Sequence, residues 1–178
     1  MAFQQQKFRE IVFQMLYSID IGKTKEDDIE NLLMKELAVT KKTVRTAYER
    51  VEKIQEKQKE IDALIAKTSQ DYKFDRIQTI ERNVLRLAVY EMLYDDLIPP
   101  KVAIAEGIRL TRKFSTPESS SFINAILDNL YKTSLGESPD NQKMQNSIEA
   151  LIKSEELANE AAQNSPQKIP LEPDEDEN

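Results

Sequence analysis

Between Val84 and Leu93 almost every residue is apolar, and these residues do not keep to one side of a helix. At about 100° per residue, Val84, Leu85, Leu87, Ala88, Val89, Tyr90, Met92 and Leu93 point in nearly every direction around the axis. A helix that is apolar all round has to be covered on most of its sides. The stretch from 79 to 94 therefore predicts a central helix with the rest of the chain laid against it. Most of its polar residues (Glu81, Arg82, Asn83, Arg86 and Glu91) fall in the first turns, where one end of the helix is expected to reach solvent.

The flanking segments read as amphipathic helices. From 4 to 19, Phe8, Ile11, Val12, Met15, Leu16 and Ile19 recur at three and four residues. Phe13 and Tyr17 sit off that stripe beside Arg9 and Glu10, and two aromatics at this spacing can stack on bases or pack under a neighbour. Packing is expected for Phe13 and function for Tyr17. Gly22 suits the left-handed residue that closes a helix. A second helix is expected at 26–38. Thr40 is placed as the N-cap of a long third helix reaching about residue 67, striped by Val44, Ala47, Tyr48, Val51, Ile54, Gln58, Ile61 and Ile65. Its outward Glu and Lys residues read as a solvated face.

A break at 69–78, with a short turn at 75–78, precedes the central helix. Ile98-Pro99-Pro100 ends it, because a residue before proline is pushed out of the helical region. Pro100 suits the first position of the next helix, which runs to about 114. Gly107 inside that helix costs about 1 kcal/mol against Ala, which points to a close helix crossing. Thr116-Pro117-Glu118 carries an N-cap, a first-turn proline and a first-turn acid for a helix ending near 131. No segment alternates with the period of a strand. The expected fold is all-α, a compact bundle of six or seven helices around a buried central helix, over residues 1–133. Residues 134–178 read as an acidic, largely disordered extension: a linker at 134–140, at most a marginal helix at 142–162, and a disordered tail from 163.

The chain has no Cys and no His, which removes thiolate nucleophiles, disulfides and the commonest general base and metal ligand. No pair of carboxylates or lysines stands in a recognisable catalytic pattern, so neither an enzyme nor a cofactor is expected. The net charge of −7 is unevenly spread. Residues 1–133 hold 22 Lys and Arg against 21 Asp and Glu, whereas 134–178 hold 3 against 11. The acidity belongs to the extension, and the helical part is balanced enough to meet nucleic acid. Polar first residues and the lack of a long apolar run predict neither a signal peptide nor a membrane span, hence a cytoplasmic location.

Residues 74–77 (FDRI), 81–91 (ERNVLRLAVYE), 98–106 (IPPKVAIAE) and 122–128 (FINAILD), with Arg9-Glu10 and 14–17 (QMLY) before them, resemble the NusB family in order and spacing. The resemblance covers about residues 4–131. It implies an all-helical RNA-binding protein that pairs with NusE, a small-subunit ribosomal protein. The pair binds the boxA element of nascent RNA and lets RNA polymerase read through terminators, chiefly in ribosomal RNA operons. A ribosomal-RNA-binding or ribosome-assembly role without antitermination is the alternative, and monomer and homodimer both stay open. Carried over by position, the resemblance implies RNA contacts at or near Tyr17, Glu81, Glu118 and Phe122, with Lys7 and Arg9 in the basic first segment and Lys101 in a Pro-x-Lys-Val motif. Tyr17 and Phe122 would stack on bases and the cations would neutralise phosphates. With two cations in a segment that is usually arginine-rich, fewer phosphate contacts and a weaker salt dependence are expected.

Overall fold

The computed structural model describes residues 2–22, 31, 34–35, 39–70 and 72–164. Six α-helices are delineated among them: α1 (Ala2–Asp20), α2 (Lys41–Thr68), α3 (Thr79–Tyr94), α4 (Pro100–Phe114), α5 (Pro117–Ser134) and α6 (Asn141–Gln163). A single 3-10 turn, Phe74–Arg76, stands between α2 and α3. Of the helix expected at 26–38 only Asn31, Met34 and Lys35 are described, and they are helical; of the tail expected from 163, residues 165–178 lie outside the described residues.

The apolar circumference of α3 decides the architecture. It packs against α1, α2, α4 and α5, and every residue from Asn83 to Met92 is buried. Each neighbour contributes one stripe, as an amphipathic helix does. From α1 come Ile11, Val12, Met15 and Leu16; from α2, Val44, Ala47, Val51, Ile54, Ile61 and Ile65; from α5, Phe122, Ile123, Ile126 and Leu127.

The termini are set by local chemistry. Gly22, at φ +66°, stands just past α1, and its N–H donates to the Ile19 carbonyl at 3.0 Å. Thr40 caps α2 by accepting from Thr43 N at 3.2 Å, and Thr116 caps α5 by accepting from Ser119 N at 3.1 Å. Pro100 opens α4. Gly107 marks the close crossing expected of it. A Cβ there would sit 3.0 Å from Leu127 Cδ1 and 3.1 Å from Ala88 Cβ, so α3, α4 and α5 meet at this point closely enough that a methyl would need its neighbours to give by a few tenths of an ångström.

Two expectations change. The polar residues of α3 do not reach solvent as a group: Glu81, Asn83, Arg86 and Glu91 are all buried, because α1, α2 and the α4–α5 junction supply partners for them. The extension also continues the core past residue 133. Met144, Ile148 and Leu151 of α6 fall at i, i+4 and i+7 and are buried against α5. Asp140 caps α6 by accepting from Lys143 N at 2.9 Å. The side chain of Asn129 clamps the connector, accepting from Asp140 N at 2.8 Å. Farther along, Glu155 accepts from Tyr72 OH at 2.7 Å and from Arg76 Nη2 at 3.1 Å, tying α6 to the turn before α3. No helix among the described residues is long and apolar enough to cross a membrane.

Candidate nucleic-acid interface

Charge locks α1 onto the central helix. Arg9 Nε donates to both carboxylate oxygens of Glu91, at 3.1 and 2.9 Å, and its Nη1 lies 3.8 Å from Glu106. Burial pushes the Glu91 carboxyl above its ordinary range, even with the charge and hydrogen bonds of Arg9 working the other way. At the other end of α1, Asp20 accepts from Arg82 Nη2 at 2.8 Å and Asn83 Nδ2 at 2.9 Å. Burial opposes the Asp20 charge, but the bonds from Arg82 and Asn83 and the nearby Arg86 hold its carboxyl below the ordinary range. Arg86 also forks onto Asp62, with two bonds of 2.8 Å. Buried charges are tolerated when they are paired and hydrogen-bonded in this way.

Close by, the end of α1 and the start of α3 meet the corner between α4 and α5. Phe13 packs at a tilt against Phe114, 4.9 Å between ring centroids, and Tyr17 lies 6.3 Å from Phe13. Ser115, in the corner itself, donates its hydroxyl to Glu81. Glu118 follows in the first turn of α5, half-buried. A cavity of about 410 Å³ opens at this corner, lined by Ile108, Arg112, Ser115, Pro117, Ser120, Ser121 and Asn124. Arg112 is exposed, and no ion pair engages it among the described residues. Its neighbour Lys113 is held by Glu10 at 2.7 Å.

The seven candidate residues therefore divide. Glu118 lies in the first turn of α5 beside the corner, and Tyr17 is linked to it, among the described residues, only through the rings of Phe13 and Phe114. Lys7 is half-buried, about 15 Å from Tyr17 along α1 by helical rise. Lys101 is exposed near the start of α4, about 20 Å along that helix from the corner. Three residues have other work. Phe122 is 0 % exposed and meets Tyr72 edge to face at 5.1 Å, so it offers no ring to a base. Arg9 is 5 % exposed and committed to Glu91, so its guanidinium is not available to phosphates. Glu81 is 4 % exposed and turned onto Ser115, beneath the surface rather than on it. Arg9, Glu81 and Phe122 position the elements that carry the exposed groups.

The corner's own polar lining, Ser120, Ser121 and Asn124, was not among the candidates. The run of three serines at the start of α5 is the signal that marks it in the sequence. A second cleft of about 400 Å³ lies between α1, α2 and the α3–α4 loop, bordered by Arg9, Arg50, Asp95 and the exposed apolar Leu97 and Val102. Among the described residues, no three His, Cys, Asp or Glu side chains cluster as a metal site requires.

A bundle that pairs its few buried charges internally and leaves a polar-lined cavity at one helix corner has the form of a helical binding module. The model of the NusB family matches residues 6–132. The chain belongs to that family. It is 42% identical over 132 residues to the transcription antitermination protein NusB of Chlamydia pneumoniae, covering 74% of this chain and 82% of that one. NusB of T. maritima superposes with a TM-score of 0.61 at 30% identity, over 79% of this chain and 96% of that one. A crystal structure of antitermination factors NusB and NusE in complex with dsRNA matches with a TM-score of 0.64 at 25% identity, over 75% of this chain and 99% of that chain.

Proposed function

We propose that this chain is a cytoplasmic transcription antitermination factor that binds boxA RNA together with NusE and promotes read-through in ribosomal RNA operons. The observation that carries this reading is the match to NusB bound to NusE and dsRNA along nearly that whole chain. Accessible groups, among them the corner residue Arg112, give it a physical basis. Lys7, Lys101 and Arg112 supply positive charge for phosphates. Tyr17 offers a ring at the edge of the core, and Glu118 stands beside the corner cavity at the start of α5. The RNA-binding unit is residues 1–133, and RNA polymerase is the wider assembly it serves. The chain acts by binding and positioning, with no chemical step of its own.

Transcription in vitro tests the reading. With NusE and RNA polymerase on a template carrying boxA ahead of a terminator, adding the chain should raise the fraction of full-length transcripts. Deleting boxA should abolish the gain. Binding to boxA RNA without any gain in read-through would instead assign the chain to ribosomal RNA binding or ribosome assembly.

A further inference from the structure

The corner cavity does not end at α5. It shares Ser121 and Asn124 with a second, open depression of about 630 Å³ whose far wall is α6, through Gln142, Asn146 and Ser147. We infer that this continuous groove between α5 and α6 carries a stretch of single-stranded RNA, with a phosphate at Arg112 and the first turn of α5 and the following ribose and base edge along Asn124 and Asn146. The inference rests on the RNA-binding reading above and extends it to α6, which lies beyond residues 6–132.

Four observations point the same way. The first turn of α5, whose Pro117 and Ser120 line the cavity, brings the positive end of an 18-residue helix to it. Ser120, 6 % exposed, lines the same cavity, and its buried hydroxyl has no hydrogen-bond partner. A buried polar group left unmatched is costly unless something supplies the bond. Charge in the groove is also arranged for an anion at one end only. Among the described residues no ion pair engages Arg112, whereas Lys143 is occupied by Asp128 at 3.1 Å and Asp140 by the N-terminus of α6. Beyond Arg112 and the paired Asp140 and Lys143, the polar lining is the amides and hydroxyls of Ser121, Asn124, Gln142, Asn146 and Ser147, which match the 2′-hydroxyl of RNA and the base edges that an unpaired strand exposes.

The groove is also built in advance. Met144, Ile148 and Leu151 seat α6 on the core, and Asn129 holds the connector, so the α6 wall needs no ordering when RNA arrives. A protein partner fits less well, because the groove has no aromatic or large exposed apolar anchor of the kind that dominates protein interfaces.

The test uses the full chain, NusE and a fluorescently labelled single-stranded boxA RNA, with affinity read by anisotropy. Asn146→Glu places a negative charge in the groove. Gln145→Glu places the same charge one residue away on exposed α6 surface, so general repulsion cancels in the comparison. Asn146→Glu should weaken binding by about tenfold or more, as the loss of hydrogen bonds to a polar ligand together with like-charge repulsion implies, while Gln145→Glu stays within about twofold. Arg112→Ala should weaken binding and lower the slope of log affinity against log salt by about 1. Asn146→Ala, which removes only the amide from an exposed helical position, should show a smaller loss in the same direction. Equal affinities for Asn146→Glu and Gln145→Glu overturn the groove and leave the RNA-binding reading intact. Weaker pull-down of NusE by Asn146→Glu with RNA affinity unchanged makes the groove a protein surface and overturns it too. A wild-type chain that binds no boxA RNA with NusE present overturns both.

Discussion

Replacing Arg9 by Ala separates two roles that the sequence leaves together, a contact to RNA and a pin for the fold. The Arg9 and Glu91 side chains are 6% and 4% exposed and joined by bonds of 2.9 and 3.1 Å. Removing the guanidinium strands a carboxylate in the interior, and breaking a buried pair from one side costs about 3–5 kcal/mol. That is a large share of the roughly 5–15 kcal/mol by which a domain is stable. For a chain of this size it should lower the melting temperature by roughly 6–20 °C in circular dichroism.

The loss should also depend on pH with a definite sign. Burial raises the Glu91 carboxyl in the native protein, and Arg9 is the chief influence holding it down. Without Arg9 it rises further. A carboxyl whose folded pKa exceeds its unfolded one weakens the fold as pH climbs through the folded value. The variant's deficit should therefore shrink on acidification from about pH 7 toward the ordinary carboxylate range near 4.5. Arg9→Leu combined with Glu91→Leu should recover most of the stability, since a buried pair exchanged for apolar groups is often neutral or better. An Arg9→Ala protein with an unshifted melting temperature and weakened RNA binding would refute this assignment and return Arg9 to the interface.

Leu87, 1 % exposed on the central helix, should cost about 2–5 kcal/mol as Leu87→Ala, and an unchanged thermal midpoint would contradict its central place. Lys7→Ala should weaken boxA binding at low salt and reduce the salt slope by about 1 while leaving NusE pull-down intact; unchanged affinity removes Lys7 from the RNA surface. Truncation after Gly136 removes Met144, Ile148 and Leu151 from the core, so the urea midpoint should fall. An identical midpoint would mean that α6 adds nothing to the fold.

The architecture was legible where one signal was enough. A helix apolar on all sides can only be central, and Thr40, Thr116, Pro100 and Gly22 mark their boundaries through backbone chemistry within a few residues. Gly107 announced a close crossing because a glycine there is otherwise unfavourable. The site was less legible, because its decisive contacts join distant parts of the chain. Arg9 meets Glu91 across 82 residues, and Arg86 meets Asp62 across 24. Periodicity shows which face a residue occupies but not whether a partner waits there, so the buried cations looked like free surface charge. Phe122 is different, since its position four residues before Ile126 and eight before Leu130 already put it on the core-facing stripe of α5. Its resemblance to an RNA contact outweighed a pattern that was correct. The α6 stripe of Met144, Ile148 and Leu151 was visible but short, and only the packing against α5 shows that it suffices.

Direct measurement of RNA recognition bears most closely on the assigned function. Labelled boxA RNA and a scrambled RNA of equal length and composition can be titrated with the full chain, alone and with NusE, at one fixed salt concentration. The charge-driven part of binding is common to both RNAs, so the difference between them isolates recognition of sequence. Tighter binding of boxA than of the scrambled RNA, strengthened when NusE is added, is the expected result. Equal affinity for the two RNAs, or an affinity that NusE does not change, would contradict the assignment of this chain as a boxA-binding partner of NusE.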